Sequence, residues 1–252
     1  MTKKEKYYSY FELKIDFKGS FKMELGIYIH IPFCMQKCLY CDFVSYINKS
    51  ECVKEYINCM IKEIQSYDLK KYNITTIYIG GGTPSFIESD YIKEIINVIQ
   101  NKLEKNDTRW EDIEITIEAN PGTITLEKLN DYKTAGINRI SLGLQATQDR
   151  LLKQIGRIHN YKDFLEAYEL LKRVGFNNIN VDLMIGLPNQ SIKDLKESLE
   201  KIIKLDPNHI SVYSLIIEDG TPISKLLDKE KIKLPDEEIE RQMYWYVKNK
   251  LE

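Results

Sequence analysis

Three cysteines lie within one short stretch of the chain and offer its clearest chemistry. Cys34, Cys38 and Cys41 follow a C-x3-C-x2-C spacing. Just ahead of them, residues 27–31 (IYIHI) have the composition of a buried strand, and Pro32 ends it. We therefore expect the three thiols on a loop that leaves the carboxyl end of a strand, which is where α/β folds place their chemistry.

Thiolates at this spacing can hold either zinc or an iron–sulfur cluster. Structural zinc prefers four ligands in a closed tetrahedron, but the position two residues past Cys41 is Phe43 and no fourth cysteine lies near. A [4Fe–4S] cluster usually takes four Cys thiolates, so three would leave one iron open for an external ligand. The other two cysteines, Cys52 and Cys59, lie on a predicted helix, and we expect them to face the core as small apolar residues.

The rest of the chain alternates strands with helices, and this alternation must position the cysteine loop. Strand-like runs are found at 27–31, 74–79, 113–117, 137–144, 179–185 and 209–213. Such alternation predicts parallel strands joined by right-handed crossovers. Six repeats fall short of a full eight-fold barrel. The expected fold is therefore α/β, a partial (β/α)6 TIM-like barrel with the cysteine loop after its first strand, and a doubly wound sheet is the alternative.

Polar residues and glycines at the predicted strand ends supply a candidate ligand site. A Gly-Gly-Gly-Thr-Pro turn follows the second strand, and glycine lets a backbone approach a ligand closely. The turn is not a phosphate loop, because no G-K-[ST] follows it. Asp182 lies inside an apolar strand, where a carboxylate is costly unless it is paired. The other candidates near strand ends are Glu118, Gln145 and Arg157.

Composition limits the classes of function that need to be considered. Of 252 residues, 43% are hydrophobic, which is enough for a substantial core. With 36 Lys and Arg against 38 Asp and Glu, the chain has no general electrostatic attraction to nucleic acid or anionic membranes. We find no integral membrane segment and no signal peptide in the sequence. Crowded cysteines in an unexported chain favour metal or redox chemistry, so we expect a cytoplasmic protein.

The two ends of the chain differ from its middle. Residues 1–22 are rich in Lys and aromatic residues and match nothing that follows. We expect them to be a disordered extension or the product of a wrongly assigned start before Met23, with an ordered strand or arm as the alternative. Residues 23–223 are expected to form the core. Residues 224–252, with a predicted helix at 236–251, are expected to begin a C-terminal region that is truncated.

Taken together, these motifs resemble those of the radical S-adenosylmethionine (SAM) superfamily. The cysteine loop matches its signature, and Gly-Gly-Gly-Thr-Pro resembles its segment for the methionine amino group. Within the superfamily the chain resembles the oxygen-independent coproporphyrinogen III oxidase group, and most of all its HemW branch of heme chaperones. The match runs in order from Gly26 to about Pro222 through YIHIPFC, YIGGGTPS, IEANPG, SLGLQ, GRIH and VDLMIGLP.

The resemblance implies a role for each matching residue. Cys34, Cys38 and Cys41 would hold a [4Fe–4S] cluster, and the amino and carboxylate groups of SAM would chelate its open iron. The positions that match SAM contacts are Tyr28, Tyr40, Gly81, Gly82, Thr83 and Glu118. Those that match residues around a second SAM in the oxidases are Gln145, Arg157 and Asp182. Ile216 aligns with a backbone that contacts the adenosyl group.

Two departures from the pattern bear on function. The oxidases carry a further cysteine where this chain has Phe43, which favours a heme chaperone. HemW-like proteins continue into a region with a His-Asn-x-x-Tyr segment. The only His-Asn pair here, His159-Asn160, belongs to the Gly-Arg-Ile-His segment, so we expect the heme-handling region to be missing.

The main functional hypothesis is thus a SAM- and cluster-binding protein that delivers heme to acceptor proteins. The resemblance implies heme or a porphyrin as cargo and a reductant protein such as flavodoxin or ferredoxin. One alternative is an oxygen-independent coproporphyrinogen III oxidase, which decarboxylates its substrate to protoporphyrinogen IX. A second alternative is a zinc-stabilised binding domain without catalysis.

Overall fold

The protein is described here by a computed structural model that covers residues 23–103 and 109–252. The extension predicted at residues 1–22 lies outside the described residues. The strands are β1 (Met23–Ile31), β2 (Tyr72–Gly81), β3 (Glu114–Ala119), β4 (Arg139–Gln145), β5 (Asn178–Ile185) and β6 (His209–Ser214). The helices are α1 (Val53–Ser66), α2 (Ser89–Leu103), α3 (Leu126–Thr134), α4 (Asp149–Gln154), α5 (Tyr161–Val174), α6 (Ile192–Ile203), α7 (Pro222–Asp228) and α8 (Glu237–Leu251).

The six strands form one parallel sheet whose spatial order is the order of the sequence. Each strand pairs with the next, from β1 to β6. A doubly wound sheet reverses its strand order at a switch point, so that alternative is wrong. The sheet curls into a half-barrel with its helices on the outside, and the predicted (β/α)6 partial barrel is confirmed.

The two faces of the sheet differ in chemistry because side chains alternate along each strand. One face is apolar and packs against helices such as α2, whose four isoleucines Ile92, Ile95, Ile96 and Ile99 are fully buried. On β4, β5 and β6 the alternate positions turn into the barrel and line a cavity. These inward residues are Arg139, Ser141, Gly143, Gln145, Asn180, Asp182, Met184, Ser211 and Tyr213.

Helix ends follow the local signals in the sequence. Ser191 and Asp194 form a capping box at the start of α6. Thr125 accepts a hydrogen bond from the backbone N–H of Lys128 at the start of α3. Gly175 ends α5 with φ of 87°, a left-handed conformation that costs glycine little.

The predicted burial of Cys52 and Cys59 is wrong, because both cysteines are exposed. The buried positions of α1 are Val53 and Ile57. Cys59 is two residues beyond Ile57, which places it on the opposite side of a helix with 3.6 residues per turn. Cys52 precedes Cys59 by nearly two whole turns and therefore shares its solvent-facing side.

The last residues of the chain pack onto the barrel. The side chain of Met243 on α8 is fully buried against Ile185 and Leu195. Helix α7 was not predicted, although Thr221 caps it and Pro222 occupies its first position. The predicted boundary at residue 223 falls inside this helix. In the part of the chain described here, none of the helices combines the length and the apolar character needed to cross a bilayer.

Candidate functional site

A cavity of about 700 Å³ opens at the carboxyl ends of the strands. The cysteine loop closes one side of it, and inward side chains of β2 to β6 form the rest of the wall. Every predicted site residue except Tyr28 lines this cavity, namely Cys34, Cys38, Tyr40, Cys41, Gly81, Gly82, Thr83, Glu118, Gln145, Arg157, Asp182 and Ile216. Residues chosen by motif along nearly two hundred positions of sequence are therefore neighbours in space.

Backbone hydrogen bonds hold the cysteine loop against the barrel. The N–H of Cys34 donates to the carbonyl of Tyr46 at 3.0 Å, and the N–H of Tyr46 donates to the carbonyl of Pro32 at 2.7 Å. Leu39 donates to the carbonyl of Ile155 at 3.0 Å. Nε2 of His30 lies 2.8 Å from the carbonyl oxygen of Val44. The loop therefore has a defined conformation, which fixes where its three thiols lie.

The three thiols fit a cluster better than a single ion. Cys34 is buried, whereas Cys38 and Cys41 are partly exposed, and all three are free. Among residues 23–103 and 109–252, no three His, Cys, Asp or Glu side chains are placed to hold one metal ion, which gives the zinc alternative no support. A [4Fe–4S] cluster bonds each thiolate to a different iron. It therefore needs three sulfurs facing one cavity, and this donor set provides them.

The glycine segment after β2 lies directly against the cysteine loop. The N–H of Gly82 donates to the carbonyl of Ile31, and that of Thr83 to the carbonyl of Phe33, both at 2.9 Å. A Cβ on Gly82 would stand 2.9 Å from Sγ of Cys34 and 2.9 Å from the carbonyl oxygen of Phe33. Glycine is thus required here for contact with the loop itself, in addition to the predicted approach to a ligand.

Glu118 is a half-buried carboxylate with both oxygens engaged. Its Oε1 accepts from the hydroxyl of Tyr78 at 2.8 Å, and its Oε2 accepts from the N–H of Gly81 at 3.1 Å. Burial raises the pKa of Glu118, although these two hydrogen bonds oppose the rise. Tyr78 was missed by sequence reasoning. Its signal was strand alternation, which places it on the same face as Gly80, two residues on.

Asp182 is paired as expected, but with neutral groups. Asn180 Nδ2 donates to its Oδ1 at 2.7 Å, and the hydroxyl of Ser141 donates to its Oδ2 at 3.3 Å. Ser211 in turn donates to Oδ1 of Asn180 at 3.0 Å. Burial raises the pKa of Asp182, and the hydrogen bonds oppose that rise. Asn180, Ser141 and Ser211 come from three adjacent strands, so this network joins β4, β5 and β6 along the cavity wall.

Gln145 occupies a strained position at the end of β4. It is buried and has φ of 76°, which is unusual for a residue with a side chain. The pairing of β4 with β5 shifts register between Gly143 and Gln145. The hydroxyl of Tyr213 donates to Oε1 of Gln145 at 2.7 Å. Backbone strain of this kind is found mainly at functional sites. It persists only where the surrounding structure holds the residue in place.

Tyr28 is the predicted contact that lies outside the cavity wall. Its side chain is 59% exposed, and its ring stacks on that of Tyr78 with 6.1 Å between centroids. Its hydroxyl lies 3.1 Å from Nδ1 of His30. Tyr28 thus contacts the site through Tyr78 and His30, and its contact with SAM stays a prediction.

Comparison with known proteins gives one consistent family. The heme chaperone HemW of Bacillus subtilis is 41% identical over 227 residues, a stretch that covers 89% of this chain and 59% of that relative. HemW of Buchnera aphidicola subsp. Schizaphis graminum is 43% identical over 217 residues, or 84% of this chain and 55% of the relative. The chain therefore spans little more than half the length of these curated relatives.

A solved structure shares the fold. Coproporphyrinogen III oxidase (HemN) from Escherichia coli aligns with a TM-score of 0.77 at 23% identity, over 91% of this chain and 52% of that one. At this identity the likeness concerns the fold alone. Residues 28–202 match the radical SAM superfamily, and this match covers more than half of the sequence. The chain therefore belongs to the radical SAM superfamily, whose members are expected to bind a [4Fe–4S] cluster and SAM.

Proposed function

We propose that Cys34, Cys38 and Cys41 hold a [4Fe–4S] cluster, that SAM binds in the adjoining cavity, and that the protein is a HemW-like heme chaperone. The observation that carries the cofactor proposal is the convergence of three thiols, a glycine segment and a half-buried carboxylate on one cavity. Residues 23–223 are proposed as the cofactor-binding core, with residues 224–252 as the start of a C-terminal region.

The cavity offers groups complementary to those of SAM. When bound, the cluster supplies the electron that cleaves the sulfonium of SAM. Gly81, Gly82 and Thr83 line the cavity, and Glu118 presents a carboxylate for an ammonium or hydroxyl group. Gln145 and Asp182 line the opposite wall. Their oxygens already accept hydrogen bonds from Tyr213 and Asn180, which fixes their orientation.

Support for heme as cargo comes from the relatives and from one position on the loop. The curated relatives at 41% and 43% identity are named as heme chaperones. Phe43, where the oxidases carry a cysteine, is 71% exposed at the edge of the cavity.

We propose that heme-acceptor proteins receive the cargo, and that a flavodoxin or ferredoxin reduces the cluster. Free thiols at the cluster loop suit a reducing compartment, so we propose the cytoplasm.

Anaerobic reconstitution with iron and sulfide tests the cofactor proposal. We expect equal iron and sulfide contents typical of a cubane and a broad charge-transfer absorption that Cys34→Ala abolishes. Cys52→Ala is the matched control, since that thiol is exposed on the outer surface beyond the cavity. SAM with dithionite should then yield 5′-deoxyadenosine. A colourless protein that takes up zinc instead would contradict the proposal.

Two assays separate the chaperone from the oxidase. Incubation of the reconstituted chain with coproporphyrinogen III, SAM and dithionite should leave the substrate unchanged, because the oxidase pattern is broken at Phe43. A reconstituted fusion of this chain to the remaining part of the HemW relative of Bacillus subtilis, of which the match covers 59%, should transfer heme to a heme-free acceptor protein, followed by its Soret band. Formation of protoporphyrinogen IX would overturn the chaperone proposal in favour of the oxidase.

A further inference from the structure

Arg157 is a partly buried cation, and one of its two hydrogen bonds goes to the cysteine loop. It follows α4 and lines the cavity. Its Nη1 donates to Sγ of Cys38 at 3.5 Å, and its Nη2 donates to the carbonyl of Gly143 at 2.7 Å. Its Nε is buried and has no hydrogen-bond partner in the described part of the chain. The guanidinium is thus only partly satisfied by the protein.

No carboxylate lies within ion-pair distance of Arg157 among the described residues. The charge of Arg157 lowers the pKa of Asp182, against a larger rise caused by burial. A buried charge is costly unless an opposite charge or good hydrogen bonds compensate it. The sulfur of Cys38 is the one thiolate-forming group that Arg157 contacts directly. The compensating negative charge is therefore expected at the cysteine loop.

We infer that Arg157 is a positioning residue for the cluster, and that it stabilises the reduced form through Cys38 and so raises the reduction potential. The inference rests on the proposed function, because it requires Cys38 to be a cluster ligand. Reduction adds one electron from an external low-potential donor, and no bond is made or broken. The cluster becomes one unit more negative, so a fixed cation beside one of its sulfurs favours the reduced form.

This role differs from the one that the family resemblance implies for Arg157. The resemblance places it beside a second SAM, whereas here the guanidinium contacts a cluster cysteine 119 residues earlier in the chain. The two roles are separable, because the potential can be measured with no SAM present. A contact with SAM would then have no effect on the measurement.

The test is a redox titration of the reconstituted protein without SAM, followed by the visible absorption and by the EPR signal of the reduced cluster. Arg157→Gln removes the charge, and we expect a shift of the reduction equilibrium of about tenfold, or ~59 mV more negative for one electron. Arg157→Lys keeps the charge but loses the planar fork, so it should shift the potential by less. Iron content and circular dichroism confirm that each variant is loaded and folded.

Arg150→Gln is the matched control. Arg150 pairs with Asp194 at 2.5 Å and donates to the carbonyl of Asn189, so the same charge is removed away from the loop. Its potential should equal that of the wild type. An unchanged potential in cluster-loaded Arg157→Gln overturns this inference alone. If that variant binds no cluster, Arg157→Met, which removes the same charge, is judged by the same criterion. A wild type that assembles no cluster overturns the proposed function as well.

Discussion

The hydroxyl of Tyr78 donates a 2.8 Å hydrogen bond to Oε1 of Glu118, which lies on the neighbouring strand. The other carboxylate oxygen accepts from the N–H of Gly81 at 3.1 Å. Glu118 is thus held by a side chain of β2 and by the backbone at the end of the same strand. Its position is fixed before any ligand enters, which lowers the cost of ordering the site on binding.

Tyr78→Phe tests whether this hydrogen bond contributes to SAM binding. Hydrogen bonds to charged groups contribute about 1.5–3 kcal/mol, but this one is present before SAM binds, so its loss should act through the orientation of Glu118 and weaken SAM affinity by less than about tenfold. Equilibrium dialysis of the reconstituted protein measures the change. Tyr67→Phe deletes the same atom from an exposed pair with Glu63 and should leave the affinity unchanged. Equal affinities for Tyr78→Phe and the wild type would show that Glu118 needs no support from Tyr78.

The pH dependence of stability should report the environment of Glu118. Burial raises its pKa in the folded protein, and the hydrogen bonds from Tyr78 and Gly81 only partly oppose this. The folded state therefore binds the proton more tightly than the unfolded state, and the resulting stabilisation is lost as pH rises through the raised pKa. In urea unfolding between pH 4 and 7, Glu118→Gln should gain stability relative to the wild type as pH rises. A difference that stays constant with pH would contradict this.

Much of the fold could be predicted because its signals are local. A stripe of isoleucines predicts the buried side of α2, and Ser191 with Asp194 predicts the start of α6. Both depend on residues three or four positions apart, whose geometry a helix fixes. The cavity could be predicted from the strand order alone, because parallel strands bring their carboxyl ends to one edge of the sheet.

What could not be predicted depends on distant partners. Tyr213 contacts Gln145 across 68 residues, and Arg157 contacts Cys38 across 119. The Tyr213–Gln145 pair depends on strand register, which shifts between Gly143 and Gln145 without a local sequence pattern that predicts the shift. The Arg157–Cys38 pair joins two loops. The prediction for Cys59 was wrong for a different reason. Cysteine is buried on average, but the large apolar residues decide which side of a helix faces the core. Ile57 is buried, and Cys59 lies on the opposite side of α1.

Gly82→Ala should prevent cluster assembly while leaving the barrel folded. Its Cβ would stand 2.9 Å from Sγ of Cys34 and 2.9 Å from the carbonyl oxygen of Phe33, and the backbone atom cannot move aside as a flexible side chain would. We expect most of the iron to be lost on reconstitution, with the far-ultraviolet circular dichroism unchanged. Gly122→Ala is the control, because its Cβ would meet nothing closer than 3.5 Å. Full iron content in Gly82→Ala would show that the loop can shift.

His159→Gln should make the protein less sensitive to acid. Burial, with a contribution from the charge of Arg157, lowers the pKa of His159 from 6.5 to about 3. The unfolded chain therefore takes up the proton first, so this histidine costs stability as pH falls below about 6.5. At about 1.4 kcal/mol per pKa unit, the wild type should lose about 2 kcal/mol more than His159→Gln between pH 7 and pH 5, measured by urea unfolding. The same replacement at His209, which is exposed on β6, shows what deletion of a histidine does by itself. Parallel pH profiles for the wild type and His159→Gln would mean that water or a structural change accommodates the buried imidazolium.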